Sequence, residues 1–448
     1  MSQISARLCN ALFGVGLLLA ISLHTFTLLG VATDQGYLQD DSTGYLNLAH
    51  NWLTHSSYSQ FIQYPHIPDV QRTPGYPVFL LLFGGNLLAI ALVQHLLVAF
   101  IAGCIVWVTA RAIPLQQARW AGLAFALMPY PALFANFILT ETLCMALLVA
   151  GAVLYGLALR QRGGWALWAA TLVAVAAVYV KVIVLPVWLL ALVLWPWLVP
   201  LRRVRAVLQA AAVGALTVAL LAPWPLRNHA IMGQYTFSTL GQTALVYGRL
   251  GGILALEHDQ PTDDATLFRL ADSVLQLHFP GQALHAYVDS AVRTQETQYF
   301  QVPVGRVVWG EILSRPGLAA GLQLRSIGQM LAGVGYGTAL YQLHSLAAAL
   351  ALALWQGLLL VALYLGVGLW GWQQLRFRRW PLAYTLLFLA TCLFLLAHAA
   401  IWADGRYRLI CDPFWTVLAA LGYAGLAVEG QSGKTSSIQP PPTTSSPS

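Results

Sequence analysis

The chain has 448 residues, of which 58% are hydrophobic and only 9% are charged. Soluble domains carry roughly 25% charged residues, so this composition excludes an ordinary soluble protein. The formal net charge is +7, which would suit a nucleic-acid partner if the basic residues formed one patch. They are instead divided among short loops, as described below, and we expect no nucleic-acid binding.

Apolar stretches of about 20 residues recur along the chain, and each is long enough to cross roughly 30 Å of hydrocarbon as a helix. The sequence predicts an all-α polytopic membrane protein with about ten transmembrane helices, at residues 11–32, 86–110, 118–135, 138–159, 164–180, 182–200, 206–224, 346–371, 381–401 and 413–429. The first stretch is longer than the apolar region of a signal peptide, so we interpret it as a retained helix. The exact number stays open because residues 76–85 and 311–345 could enter the membrane partway.

The connections between these helices alternate in charge. One set carries 12 basic residues with Glu429 as its only acid, and the other carries the remaining 11 basic residues and the other 15 acids. Cytoplasmic loops are enriched in lysine and arginine, so the first set is predicted to be cytoplasmic, with both termini inside the cell. We therefore expect a multi-pass protein of a cell membrane, with its working surface on the extracytoplasmic face.

This topology divides the chain into four regions: an N-terminal transmembrane module at 1–226 that includes a first outer loop at 33–75, an extracytoplasmic loop domain at 227–345, C-terminal transmembrane helices at 346–430, and a cytoplasmic tail at 431–448. The loop domain is predicted to be partly helical, with helix-like stretches at 264–278 and 281–294. The tail has low complexity and is predicted to be disordered.

The first outer loop combines a helical pattern with adjacent carboxylates. Asp40, Asp41 and Ser42 come just before an expected amphipathic helix at the membrane surface. One interpretation is that Asp41 or Ser42 only caps this helix. The other is that the two acids bind a metal ion or activate a hydroxyl group. The helix is predicted from apolar residues that recur on one face, at Tyr45, Leu48, Ala49, Trp52 and Leu53.

Further ionisable residues lie at the predicted outer ends of the helices: Arg72, Glu141, Lys181, Arg227, Arg406 and Arg408. Each of them alone suits a simple interfacial anchor or a solvated ion pair. Ionisable groups so close to the hydrocarbon are also candidates for function, and arginine pairs are suited to clamping a phosphate. Because acids and isolated cations converge on one face, we expect a lipid-linked phosphate substrate.

Five motifs in order make the chain resemble the GT-C glycosyltransferases, in the family 39-like branch with the protein O-mannosyltransferases and the aminoarabinose transferase of lipid A. These motifs are Asp41 to Tyr45 before an Ala/Leu helix, Arg72 to Pro77, Leu139 to Glu141, Pro223 to Asn228, and Gly405 to Arg408. Together they cover the chain from about residue 34 to residue 415. The resemblance implies a GT-C-like arrangement of the transmembrane helices.

The resemblance also implies an inverting transferase that moves a sugar from a polyprenyl-phosphate donor to a glycolipid, polysaccharide or protein acceptor. On that basis Asp41 is the general base, and Asp40 and Glu141 are further candidate catalytic residues. The candidate ligands of the donor phosphate are the cations Arg72, Lys181, Arg406, Arg408 and Arg227. The residues expected to position donor or acceptor are Tyr45, Tyr76 and Tyr407.

One departure from the family pattern, the question of a metal cofactor, and three alternative functions stay open. Many members of the family carry an Asp-Glu pair where this chain has Asp40 and Asp41, so either acid can be the base. Because the family contains metal-dependent and metal-independent members, a divalent cation on Asp40, Asp41 and Glu141 is left open as a cofactor. The alternatives are a transporter or flippase of lipid-linked sugars, an O-antigen polymerase or ligase, and a scaffold. Charges gathered at one interface, without an internal repeat, favour the transferase over the transporter.

Overall fold

The structure is a computed structural model that describes residues 3–61, 67–287, 298–300, 302–378, 381–399 and 405–435. Within these residues a 3-10 helix covers Asp34–Tyr37 and a π-helix covers Ala244–Gly251. Two short antiparallel strands are β1 (His285–Tyr287) and β2 (Gln298–Phe300). The α-helices in chain order are α1 (Gln3–Leu29), α2 (Asp40–His55), α3 (Gly75–Leu81), α4 (Leu87–Thr109), α5 (Leu115–Ala126), α6 (Pro129–Phe134), α7 (Thr140–Arg160), α8 (Gly164–Val180), α9 (Val184–Leu198), α10 (Arg203–Leu221), α11 (Pro223–Met232), α12 (Leu240–Thr243), α13 (Gly252–Glu257), α14 (Asp264–His278), α15 (Val304–Ser314), α16 (Pro316–Ala332), α17 (Tyr336–Leu343), α18 (Leu346–Phe377), α19 (Leu382–Ala399), α20 (Gly405–Leu409) and α21 (Asp412–Thr435).

The chain is a multi-pass membrane protein, because several of these helices are long and apolar. Two apolar helices, Gly164–Val180 and Val184–Leu198, are shorter than a usual span. In the described part of the chain, length and composition therefore do not support the predicted count of ten. The six segments that are long and apolar enough to cross a bilayer are Arg7–Leu29, Leu87–Thr109, Thr140–Arg160, Arg203–Met232, Leu346–Phe377 and Leu382–Ala399.

The predicted span at residues 118–135 is not one helix. α5 ends at Ala126, and the short α6 begins at Pro129. Proline lacks an N–H group and disfavours helical backbone in the residue before it, and Met128 accordingly has an extended conformation with ψ 119°. The 12 residues of α5 reach only about 18 Å at 1.5 Å per residue, so neither piece crosses a bilayer by itself.

Side-chain amides satisfy the buried backbone that follows this break. Gln94 of α4 donates to the carbonyl oxygens of Ala135 and Phe137, at 3.0 and 2.8 Å. Gln342 of α17 donates to the carbonyl oxygen of Leu133 at 3.0 Å. Non-helical backbone is tolerated at membrane depth only where protein groups replace water in this way. The two glutamines thus fix the path of the chain into α7.

Close helix packing determines which helix ends meet. α7 packs along α8, and α2 packs on α3. α18 packs along α21, where a Cβ atom added at Gly366 would lie 2.6 Å from the Cβ of Ala419. Small residues permit such close approach between membrane helices. Because α7 begins at the end of the bundle where α8 finishes, Glu141 and Lys181 come together there.

Residues between Val246 and Ala319 pack on one another in an apolar cluster of their own. α14 begins at Asp264 and ends at His278, as the sequence predicts, and Asp263 caps it by accepting from the Thr266 N–H at 3.0 Å. The predicted helical stretch at 281–294 is wrong where the structure describes it, because β1 pairs there with β2. Gly281, with φ +72°, turns the chain out of the helical path. The described fold is therefore predominantly helical, as predicted, with one pair of three-residue strands.

The end of the chain differs from the prediction in one respect. α21 continues to Thr435, past residue 431 where the tail was predicted to start. The remainder of the predicted tail, residues 436–448, lies outside the described residues.

Candidate active site

The two adjacent acids are the first two residues of α2. The residue before the helix is Gln39, and the Ser42 Oγ accepts from its backbone N–H at 2.9 Å. Ser42 therefore takes part in capping the helix, whereas the side chains of Asp40 and Asp41 remain available for other contacts. Carboxylates in the first helical turn are stabilised by the helix dipole and the free N–H groups.

A tight turn at residues 69–72 places Arg72 beneath this helix. The buried Asp69 carboxylate accepts from the backbone N–H groups of Gln71 and Arg72, at 3.0 and 2.7 Å, and from the side chain of Gln60. Tyr58 donates to the carbonyl oxygen of Arg72 at 3.1 Å. Burial raises the pKa of Asp69, and the nearby Arg72 partly offsets that rise. These hydrogen bonds fix the backbone of the turn and therefore the direction in which the Arg72 side chain extends.

Asp41 lies between two arginines that are far apart in sequence. Arg72 Nη2 is 3.1 Å from Asp41 Oδ1, and Arg406 Nη1 is 3.7 Å from Asp41 Oδ2. The Asp41 side chain is 42% exposed, whereas those of Arg72 and Arg406 are 9% and 25% exposed. A ligand can therefore reach Asp41 and one side of Arg406, while Arg72 mainly orients the carboxylate from below.

Arg72 also packs on the ring of Tyr45, with Cζ 5.4 Å from the ring centroid. Burial alone would lower the pKa of the Arg72 guanidinium, but Tyr45, Asp69 and Asp41 outweigh it and raise that pKa. Burial raises the pKa of the Tyr45 phenol, which stays neutral. Arg72 Nε and Nη1 are buried and make no hydrogen bond within the part of the chain that the structure describes. Arg72 is thus a fixed positive charge with two spare donors.

A second ion pair joins the same cluster. Lys181 Nζ, at the end of α8, lies 2.7 Å from Glu141 Oε1, at the start of α7. The Tyr407 ring connects the two pairs, because Lys181 Nζ is 5.1 Å and Arg406 Cζ is 5.0 Å from its centroid. Both distances are typical of cation–π contacts. Two carboxylates and three cations therefore form one continuous site at one end of the helix bundle.

Two glycines make this site possible. A Cβ atom at Gly44 would lie 2.9 Å from Arg72 Cζ, and one at Gly75 would lie 2.5 Å from the backbone carbonyl carbon of Tyr179. Gly44 lets Arg72 pass directly beneath α2, and Gly75 lets α3 meet the end of α8 just before Lys181. Tyr76, the next residue, is buried and packs edge to face on Tyr45, with ring centroids 5.2 Å apart.

Arg408 does not join the cluster, and its position does not suit the predicted contact with a phosphate. Its side chain is fully buried and pairs with Asp412 at 3.2 Å. Nη1 also donates to the carbonyl oxygens of Leu331 and Gly333, at 3.1 and 2.8 Å, where α16 ends. Carbonyl groups at the end of a helix lack partners within the helix, and a cation satisfies them. Arg408 therefore fastens α20 to the end of α16 and has no surface for a ligand.

Arg227 braces the 69–72 turn. Its Nη1 donates to the carbonyl oxygen of Asp69 at 2.6 Å and to Asn228 Oδ1 at 2.8 Å. Its guanidinium lies 5.3 Å from the centroid of the Tyr58 ring. These contacts support a role behind Arg72, in place of the predicted direct contact with the phosphate.

The carboxylates do not form a metal centre in the described residues. Glu141 forms an ion pair with Lys181, and Asp41 faces two arginines. No group of three His, Cys, Asp or Glu side chains within this part of the chain is arranged to hold a metal ion. Asp40, Asp41 and Glu141 therefore do not fit a shared divalent cation in this arrangement.

Sequence reasoning missed Asp69, Gln60 and Gly44. Asp69 had a detectable signal. An Asp side chain often accepts from the backbone N–H groups two and three residues later, and such turns commonly precede a segment like Thr73-Pro74. Gln60 and Gly44 had none, since their importance arises only from the close packing of the 69–72 turn beneath α2.

The fold and the site together define a multi-pass membrane protein with a mixed carboxylate and cation cluster at one end of its helices. No protein-family model matches the sequence, and no curated protein matches it. Among solved structures, the crystal structure of ArnT from Cupriavidus metallidurans in the apo state is similar over 96% of this chain and 82% of that chain, with 16% sequence identity and a TM-score of 0.35. A likeness of that size does not establish a function.

Proposed function

We propose that this protein is a membrane glycosyltransferase that moves a sugar from a polyprenyl-phosphate donor to a hydroxyl group of an acceptor at the extracytoplasmic face. The observation that carries the proposal is the cluster itself. The accessible Asp41 carboxylate lies against Arg406, and Tyr407 links Arg406 to Lys181. An acid that can take a proton stands beside cations that can hold an anionic leaving group.

The position of the cluster suits a lipid-linked donor. Glu141 is the second residue of a membrane-spanning helix, and Lys181 directly follows another apolar helix. Ionisable groups at such helix ends lie at the depth of lipid headgroups, where the phosphate of a polyprenyl lipid would also lie. The charge asymmetry of the loops supports the extracytoplasmic side for this end, with both termini in the cytoplasm.

The proposed reaction is a single displacement. The acceptor oxygen attacks the anomeric carbon while Asp41 takes the hydroxyl proton. The bond between the anomeric carbon and the phosphate oxygen breaks, and its electron pair leaves on the polyprenyl phosphate. Attack opposite the leaving group inverts the anomeric centre. Arg406 and Lys181 stabilise the charge that grows on the phosphate, and Arg72 orients Asp41.

The acceptor is a glycolipid, polysaccharide or protein hydroxyl, and the expected location is a bacterial inner membrane. In this proposal Glu141 holds Lys181 in position, because its carboxylate is almost fully buried and lies 2.7 Å from that amine. Tyr407 contacts both cations, so Arg406 and Lys181 lie on one continuous surface beside Asp41.

The test is donor cleavage by the purified protein in lipid nanodiscs. Labelled polyprenyl-phosphate sugars are incubated with envelope extract, and released polyprenyl phosphate is separated from intact donor by chromatography. We expect one donor to be cleaved and its label to move to an acceptor, whereas Arg406→Met should cleave it much more slowly. In matched vesicles, movement of intact donor across the bilayer without cleavage would overturn the proposal in favour of a transporter.

A further inference from the structure

A polar cavity lies at the N-terminus of α2, beside the first turn that carries Asp40. Its volume is about 540 Å³, which is within the usual range for small-molecule sites. The 3-10 helix and the first turn of α2 form one wall, and α17 forms the other. The polar residues that line it are Gln35, Gln39, Asp40, Thr43, Thr338 and Tyr341.

The lining of this cavity suits hydroxyl groups and not a phosphate. It offers one carboxylate, two amides and two aliphatic hydroxyls, and no lysine or arginine is among the described lining residues. Amides can both donate and accept, while a carboxylate accepts only. A ligand that bears several hydroxyl groups can satisfy all of them, whereas an anion would face Asp40 without a compensating cation.

The wall that carries Tyr341 is fixed to the first loop. The Tyr341 hydroxyl donates to the carbonyl oxygens of Gln35 and Leu38, at 3.0 and 3.1 Å. This leaves the ring as a flat apolar surface on one side of the cavity, next to polar groups on the other sides. Sugar rings present the same combination of an apolar face and a polar edge.

Two adjacent residues of α2 face the cavity and the charged cluster. Successive residues of an α-helix point about 100° apart, so Asp40 faces the cavity while the next residue, Asp41, faces Arg72 and Arg406. A group bound in the cavity therefore lies beside the turn that carries the proposed base. The charged and the uncharged parts of a reaction would occupy different faces of the same turn.

We propose that this cavity binds an uncharged sugar ring of the acceptor, with Asp40 accepting hydrogen bonds from its hydroxyl groups and the Tyr341 ring covering its apolar face. The assignment of the ring to the acceptor rests on the proposed transferase function. Sugar binding in the cavity does not, and can be measured without donor or turnover.

The experiment uses saturation-transfer NMR with the full chain in lipid nanodiscs and a panel of neutral methyl pyranosides, with inorganic phosphate as a second probe. Gly337 also lines the cavity, and an added Cβ at this position meets nothing within 4 Å, so Gly337→Trp fills the cavity without disturbing α17. We expect at least one pyranoside to bind the wild type, Gly337→Trp to abolish that binding, and Asp40→Asn to weaken it about tenfold through loss of a charged acceptor.

Two matched variants control for bulk and charge. Gly241→Trp adds the same side chain at an open position of α12, and Asp34→Asn removes an exposed carboxylate that does not line the cavity. Both should bind the pyranoside as the wild type does. Binding that survives Gly337→Trp, a panel in which no pyranoside binds, or phosphate binding that Gly337→Trp abolishes would each overturn the proposal.

The same measurements separate this inference from the transferase proposal. Pyranoside binding that Gly337→Trp abolishes, in a protein that never cleaves donor, would retain the sugar site and remove the proposed reaction. Donor cleavage with pyranoside binding unaffected by Gly337→Trp would retain the reaction and remove the sugar site.

Discussion

Replacing Gly44 by alanine should disturb catalysis while leaving the fold intact. The added Cβ would lie 2.9 Å from Arg72 Cζ and 2.6 Å from Gln60 Oε1. Ordinary van der Waals contact begins at 3.4 Å, so the guanidinium has to move by about 0.5 Å or more. Both contacting atoms are the ends of flexible side chains, and α2 itself can stay where it is.

The magnitude follows from the role of Arg72 in orienting Asp41. Alanine favours a helix over glycine by about 1 kcal/mol, whereas crowding the buried Arg72 and Gln60 side chains costs about 1 to 3 kcal/mol, so the melting temperature should be unchanged or a few degrees lower. A positioning group displaced by about 1 Å can reduce a rate by about 10²-fold. Because the displacement here is smaller, we expect kcat for donor cleavage to fall about 10- to 100-fold, with little change in KM.

The assay is the cleavage of labelled polyprenyl-phosphate sugar in nanodiscs, with thermal unfolding measured on the same samples. Gly241→Ala is the matched control, because an added Cβ at that position meets nothing within 4 Å, and it should retain the wild-type rate. A wild-type rate for Gly44→Ala would refute the role assigned to Arg72.

Three further predictions concern the buried charges. Arg408→Met should destabilise the protein by about 3 to 5 kcal/mol, as expected when one partner of a buried pair is removed, but should leave kcat per folded molecule unchanged. Arg406→Met should instead lower kcat with little effect on thermal unfolding. An equal loss of kcat in both variants would contradict this division of roles. In a double-mutant cycle, Lys181→Met should cost more stability than Lys181→Met combined with Glu141→Gln, because the single change leaves a buried carboxylate unpaired; additive effects would contradict that coupling. Burial raises the pKa of Asp69 above its ordinary value of 3.8. The wild type should therefore lose stability relative to Asp69→Asn as the pH rises from 3.8 through the raised pKa, because the folded state then has to bury a charged carboxylate. Thermal unfolding at several pH values measures this, and a stability difference independent of pH would show that the pKa of this carboxyl is not perturbed.

The sequence was sufficient to predict the apolar helices, because hydrocarbon length and backbone hydrogen bonding leave few alternatives for long apolar stretches. It failed at residues 118–135, where apolar composition concealed the prolines at 129 and 131. Hydropathy does not record a missing N–H group. The break is stable only because Gln94 and Gln342, which are distant in sequence, supply the hydrogen bonds.

The candidate site was predictable in composition but not in arrangement. Asp41, Arg72 and Arg406 were all named from charges near helix ends, and the structure brings them together. The same reasoning placed Arg408 beside them, although it is two positions from Arg406. In the short helix α20 these two side chains point to different sides, one toward Asp41 and one toward Asp412, and only three-dimensional packing distinguishes them.

The central claim is that Asp41 is the base of an outer-face sugar transfer. The most direct measurement compares donor cleavage and product formation by the wild type, Asp41→Asn and Asp40→Asn in nanodiscs, with Asp34→Asn as the control. We expect Asp41→Asn to lower kcat by about 10²- to 10⁴-fold, Asp40→Asn to raise the KM for acceptor with kcat retained, and Asp34→Asn to behave as the wild type. A wild-type kcat for Asp41→Asn would contradict the claim, and a loss of kcat confined to Asp40→Asn would assign the base to that residue.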